Sequence, residues 1–294
     1  MTADLAALRL PPRSRFVARR DLPAMVGGSI LLAIVLMALF APYVTPHDPN
    51  AQELRDRLLP PAWIAGGSAD HLLGTDRNGR DILARIAFGA RLTLLIGVTA
   101  VFVGGLVGVT AGALAGFLRG WVDGVIGRVA DVQQAIPFVV LALAVVAVVG
   151  ASLANLILVL GVGSWLFYFR IVRGEVLSVR QRPFIEAAVA TGVGPGRLFT
   201  RHILPNVLPS IVVVVTLFVP NVIVFTAGLS FLGLGVPPPT AEWGRMIADG
   251  VDYLREQWWL SGVPSVFLVA TVLGINLVGD WLRDVLDPVQ RWRR

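Results

Sequence analysis

The chain has 294 residues, 55% of them hydrophobic and only 15% charged, with a mean hydropathy of +0.74 and a net charge of +6. Soluble domains carry about 25% charged residues, so a water-soluble globular class is excluded. With no cysteine, a disulfide framework, a thiol nucleophile and a thiolate metal site are excluded too. All 25 basic residues are arginine, and they gather beside apolar runs. That is the pattern of membrane topology rather than of a nucleic-acid surface.

The first apolar run spans about Met25 to Tyr43, preceded by Arg9, Arg13, Arg15, Arg19 and Arg20. It is long for a signal-peptide core, and Ala38-Leu39-Phe40-Ala41 makes a poor cleavage site, so it reads as an uncleaved first helix. A proline-rich stretch follows, with Pro42, Pro46, Pro49, Pro60 and Pro61, which discourages regular structure. Next comes Leu73-Gly74-Thr75-Asp76-Arg77-Asn78-Gly79-Arg80-Asp81. The segment Asp81 to Arg91 mixes charges with Ile82, Leu83, Ile86 and Phe88 and reads as lying flat at the interface.

Five further spans are expected at about Leu92–Leu118, Gln134–Gly150, Asn155–Phe169, Val207–Leu229 and Leu260–Leu282. In the first of these, Gly104, Gly108, Gly112 and Gly116 recur every fourth residue. At about 1.5 Å per residue this is a stripe about 18 Å long on which another helix can pack closely. The pattern leaves open whether that helix lies within this chain or in a second subunit. Val219-Pro220-Asn221 falls near the middle of the fifth span, with Thr216 close by. Proline there frees a backbone carbonyl, so Thr216, Pro220 and Asn221 read either as a hinge or pathway-lining site or as a plain structural kink.

Six spans put both termini on one side. The N-terminal tail, the 119–133 and 170–206 loops and the C-terminal tail hold 17 arginines against 8 acids. Segments 45–91 and 230–259 hold 8 arginines against 10 acids. The arginine-rich side, with both termini, is therefore expected to be cytoplasmic. Trp243, Trp258 and Trp259 are expected in the outer interfacial belt and Trp292 in the inner one. The last five spans carry no ionisable side chain in their cores, which argues against an ion-coupled transporter. A secondary transporter or channel not driven by ATP stands as the alternative class.

The 170–206 loop holds the most specific pattern. Glu186-Ala187-Ala188-Val189-Ala190-Thr191-Gly192 is followed after nine residues by His202-Ile203-Leu204-Pro205. It reads as a short, slim helix with an acid near its start, a glycine stop in left-handed backbone, and a second short helix ended by proline. Leu229-Ser230-Phe231-Leu232-Gly233-Leu234-Gly235 and Trp243-Gly244 form the outer loop after the fifth span. Its glycines follow no strand and precede no G-K-[ST], so no nucleotide site is expected there. His47 and His71 share the first outer segment, but at a spacing that defines no metal site, and no H-E-x-x-H occurs; no metal and no catalytic residue are expected.

These motifs resemble the second permease subunit of the dipeptide/oligopeptide/nickel ABC importer family. The likeness extends over nearly the whole chain, from the first span through L-G-T-D-x-x-G-R-D at Leu73 to Asp81 and the coupling loop to G-D-W-L-R-D-x-L-D-P at Gly279 to Pro288. It implies an all-α polytopic protein with six transmembrane helices and the type I ABC importer permease fold. Residues 1–91 would carry the tail, first helix and outer segment. Residues 92–294 would form the permease core with its coupling loop at 170–206. The resemblance further implies a chain that is not itself an enzyme. Its implied partners are a homologous second permease, two ATPase subunits that hold ATP and Mg, and an extracytoplasmic substrate-binding protein. Its implied place is the bacterial inner membrane. Glu186, Ala187, Ala188, Gly192, His202, Leu204 and Pro205 would form the ATPase-coupling element.

Overall fold

In a computed structural model the chain is described from residue 13 to residue 286. Trp292 and the closing Asp287-Pro288 lie outside that range. In chain order the helices are α1 (Arg13–Leu39), α2 (Ala41–Val44), α3 (Ile82–Leu118), α4 (Gly120–Gln134), α5 (Phe138–Val149), α6 (Leu153–Arg180), α7 (Pro183–Ala190), α8 (Pro195–Arg197), α9 (Leu204–Phe231), α10 (Trp243–Gly250) and α11 (Trp259–Leu286). Among the described residues the only β pairing is a single bridge between Thr75 and Asp81.

Five helical runs are long and apolar enough to cross a bilayer, and α4 with α5 makes a sixth if a bend of 86° is allowed. At the expected span Gln134–Gly150 the helix α5 has 12 residues, about 18 Å, and matches a hydrocarbon core of about 30 Å only together with α4. The break lies at Ala135-Ile136-Pro137, where proline forces the preceding residue out of helical geometry. Residues 119–133, expected as a loop, are mostly α4. Arg119 and Gly120 both adopt positive φ (59° and 55°) and turn the chain out of α3. The new helix is then tied to α6 by Arg173–Asp123, by Arg170–Asp131 and by Trp165 Nε1 donating to Gln133 Oε1 at 2.6 Å.

The expectation that Asp81 to Arg91 lies flat at the interface is also overturned. Asp81 caps α3 by accepting from Ala84 N at 2.6 Å, and the helix runs straight on to Leu118. Its charges find backbone partners. Arg85, fully buried, donates to the carbonyls of Pro49 (3.0 Å) and Pro239 (3.3 Å), and Arg91 donates to Ala38 O and to Leu39 O. Those bonds let arginines sit in the first turns of a membrane helix. The division expected at residue 91 consequently falls inside α3.

The glycine stripe lies against α6. A Cβ on Gly104 would sit 2.6 Å from Gly161 O, on Gly108 2.7 Å from Tyr168 Cβ, on Gly112 2.6 Å from Phe169 O, and on Gly116 2.9 Å from Arg173 O. This α3–α6 pair is the spine of the molecule, and α9 lies across both. On the flank, α1 packs on α11 through a second glycine contact, where a Cβ on Gly27 would meet Gly274 O at 2.8 Å.

Pro205 lies in the first turn of α9 instead of ending a helix, and the helical run from Pro195 to Phe231 is continuous. A π-type turn at Leu198–Ile203 precedes Pro205, so the ladder is already out of α register where the ring enters. The helix also continues through Pro220. Pro220 is buried and Asn221 exposed, while Thr216 is turned toward Gly279 of α11, so the three do not share one face.

Candidate coupling site

Two ends of the bundle carry polar structure. At one end α6 continues past the membrane run to Arg180, so the first part of the 170–206 loop is helix, not loop. Arg180 donates to Phe117 O at the end of α3, and its guanidinium lies 5.4 Å from the Phe117 ring. Phe117 packs on Phe199, with ring centroids 5.1 Å apart. The turn Gln181-Arg182 is closed by bonds to Ser178 O and Val179 O, and Pro183 opens α7 where a missing N–H costs nothing.

The stop after α7 is a Schellman motif. Val193 N bonds Ala188 O (3.1 Å), Gly192 N bonds Val189 O (2.9 Å), and Gly192 has φ +83°. A Cβ at Gly192 would meet nothing within 4 Å, so the position needs glycine for its backbone angle and not for space. Beneath the helix, Ile185 is buried with Val172, Val176, Val179, Leu198, Ile203 and Val207. This cluster fixes α7 to α6 and to the start of the α9 run.

The structure divides the expected coupling residues by face. Glu186, Ala187 and Ala190 are exposed, together with Phe184 and Val189. Ala188 is half-buried and packs against the cluster beneath, so it belongs to the inner side of the helix. His202 and Leu204 are half-buried, and Pro205 is exposed beside Asn206, whose Nδ2 donates to His202 O at 2.7 Å. Arg182, Arg197 and Arg201 are exposed around the same end. The product is a small platform: one acid, small side chains and two apolar ones on a firmly seated helix, ringed by arginines. Thr216, Pro220 and Asn221 lie along the α9 membrane run and take no part in it.

At the opposite end the outer motifs fold on one another. Asp76 accepts from Asn78 N (2.8 Å) and from Arg80 Nε (2.6 Å), and Arg77 pairs with Asp249 at 3.5 Å. Glu242 is fully buried at the start of α10. Its carboxylate accepts from Gly244 N (2.7 Å), Arg245 N (2.8 Å) and Ser230 Oγ (2.8 Å). Burial pushes its pKa above the ordinary value, outweighing the opposite pull of these bonds. Trp243, expected in the interfacial belt, is fully buried, and its Nε1 donates to Ile86 O at 3.0 Å. Trp259 is buried as well, and of the three expected in that belt only Trp258 is well exposed. Arg77–Asp249 and Trp243–Ile86 join segments 45–91 and 230–259, the two stretches that the arginine count assigns to one side.

Sequence reading missed three features here. The Arg180–Phe117 anchor shows only as one arginine among several. Glu242 shows only as an acid before Trp-Gly. His47 and His71, whose ring centroids lie 4.8 Å apart, carry no signal of this in their spacing.

Residues 108–292 match the family model described as binding-protein-dependent transport system inner membrane component. Residues 16–61 match that for the N-terminal TM domain of oligopeptide transport permease C. The chain is 43% identical to the di/tripeptide transport system permease protein DppC of Pseudomonas aeruginosa, over 90% of this chain and 88% of that one. It is 38% identical to the probable D,D-dipeptide transport system permease protein DdpC of Escherichia coli, over 98% and 97%. Among solved structures, the inward-facing MetNI methionine ABC transporter aligns with a TM-score of 0.58 at 23% identity. The alignment covers 68% of this chain and 94% of that one, and the likeness is one of fold.

Proposed function

The chain belongs to the family of binding-protein-dependent transport system inner membrane components and is an ABC importer permease; from that premise we propose that it imports peptides by passing the motion of partner ATPases to its membrane helices through α7. The relatives are named as permeases of dipeptides, D,D-dipeptides and oligopeptides, and peptides are accordingly the proposed substrate class. The proposed assembly has this chain beside a homologous permease, two ATPase subunits carrying ATP and Mg, and an extracytoplasmic binding protein. The arginine bias supports an inner-membrane placement with α7 and both termini in the cytoplasm. We take the permease core to begin at Ile82, the first residue of α3, and to include the 170–206 segment.

The observation that carries this reading is the seating of α7. Its exposed face of Glu186, Ala187 and Ala190 is narrow enough to enter a groove on a partner. Its buried face locks onto α6 and onto the run into α9. A push on α7 therefore reaches two membrane helices without slack. Arg180, bonded to the end of α3, extends that path to the α3–α6 spine.

The test uses Ala187→Glu, on the exposed face, and Gly192→Val, which puts a β-branched residue at positive φ. Both are expected to insert and to assemble with the second permease. Both are expected to lose ATPase co-purification, or to lose stimulation of ATP hydrolysis by loaded binding protein in reconstituted complexes. Wild-type association and stimulation in both variants would remove α7 from the coupling role. Uptake by this chain alone under a proton gradient would favour the secondary-transporter class.

A further inference from the structure

Three residues that lie far apart in sequence meet at the outer end. His47 sits in the connector after α2, half-buried; its backbone N–H donates to Thr45 Oγ1 at 3.2 Å. His71 and Asp81 are buried, at 6% and 3% exposure. His71 Nδ1 and Asp81 Oδ2 are 2.9 Å apart, and the His47 ring lies over the His71 ring with centroids 4.8 Å apart and planes at 35°. One donor atom from each of the three lies within 4.8 Å of the other two.

We propose that His47, His71 and Asp81 form a binding site for a borderline divalent transition ion such as Zn²⁺ at the outer face. Two donors that share one Zn²⁺ at bond lengths of about 2.0–2.2 Å stand roughly 3 Å apart. The His71 Nδ1–Asp81 Oδ2 pair already has that separation. Only His47 must close in, by a ring rotation of a half-buried side chain on a connector. The donor set selects the ion: two imidazoles and one carboxylate suit Zn²⁺, Co²⁺ or Ni²⁺, whereas Ca²⁺ and Mg²⁺ prefer all-oxygen shells.

Binding through Nδ1 leaves the one N–H of a neutral imidazole on Nε2, so the His71 ring takes the ion without losing a proton, and Asp81 Oδ2 exchanges its contact with the ring for one with the ion. The site also has a mechanical consequence. Asp81 Oδ1 caps α3 through Ala84 N, so an ion held by Oδ2 and His47 ties the start of the α2–α3 connector to the first turn of the α3–α6 spine. That makes the outer junction stiffer in the presence of the ion, independently of whether α7 is the coupling element.

The experiment uses the full chain, purified in detergent with an affinity tag free of histidine and stripped by chelator. Zn²⁺ binding is measured by isothermal titration, and Co²⁺ binding is followed by its visible absorption. The expected result is one ion per chain and a Co²⁺ spectrum of low coordination number. His47→Ala and His71→Ala are each expected to weaken binding by at least ~10-fold. His202→Ala, at the opposite end of the bundle, is expected to bind as wild type. His47 lies on a half-buried connector, so its alanine variant keeps the test valid if His71→Ala fails to fold. Unchanged binding in His47→Ala, or no saturable Zn²⁺ binding by the wild-type chain, would overturn the proposal.

Discussion

Gly108→Ala is the sharpest probe of the α3–α6 spine. A methyl group there would stand 2.7 Å from Tyr168 Cβ and 3.0 Å from the Trp165 carbonyl carbon, with the Trp165 oxygen nearer still. Ordinary contact begins at 3.4 Å, so at least 0.7 Å must be found by moving backbone, because no side-chain rotation clears it. Overpacking of this kind costs about 1–3 kcal/mol, while exchanging glycine for alanine inside a helix returns about 1 kcal/mol. The net expectation is a loss of up to about 2 kcal/mol, or up to roughly a factor of 30 in the folding equilibrium. In lipid the loss is felt fully, since close van der Waals contact rather than water exclusion holds helices together. The shift also pulls on Trp165, whose Nε1 bond to Gln133 anchors α4. Gly174→Ala is the control. It lies on the same α6, and its Cβ meets nothing within 4 Å, so it should be neutral or stabilise by up to ~1 kcal/mol. The assay is unfolding of the purified chain in mixed micelles with rising denaturing detergent, followed by tryptophan fluorescence. If the two variants shift the midpoint in the same direction by similar amounts, the stripe is not a packing seam and the reasoning fails.

Two further outcomes are expected. Because the chain has no cysteine, single cysteines at Ala69 and Thr200, both exposed, should label from opposite sides of the membrane, with Ala69 outside; labelling from one side would dismiss the topology. Glu242, with its pKa raised by burial, gives stability that is fully present below the ordinary value of 4.5 and is lost as pH rises through the folded value. The stability difference between wild type and Glu242→Gln should therefore shrink as pH rises from about 4.5, on top of a cost of about 1–3 kcal/mol for misplacing an amide N–H₂ against three donors. A difference that grows with pH in denaturation titrations would refute it.

The apolar runs, the arginine bias and the coupling pattern are local properties, and the sequence alone determined them. Length and hydropathy specify a membrane helix because lipid leaves backbone polar groups no other partner. Gly192 was legible as a left-handed stop because that demand is made by one residue on its own backbone. The inward face of Ala188 was not legible, since which side of an eight-residue helix is covered depends on Ile185 finding Leu198 and Ile203. Helix ends were misread wherever a distant group supplies the missing partner. Arg85 and Arg91 enter a membrane helix only because the carbonyls of Pro49, Pro239, Ala38 and Leu39 come to meet them. That Pro205 opens the α9 run instead of closing a short helix was likewise not legible, since it depends on the π-type turn at Leu198–Ile203 that packs beneath α7. Trp243 looked interfacial by residue type and became core because α10 folds back over the start of α3. His47 and His71, 24 residues apart and without a motif, were joined only by the path of the connector, since chain spacing says nothing about loops whose ends the bundle brings together.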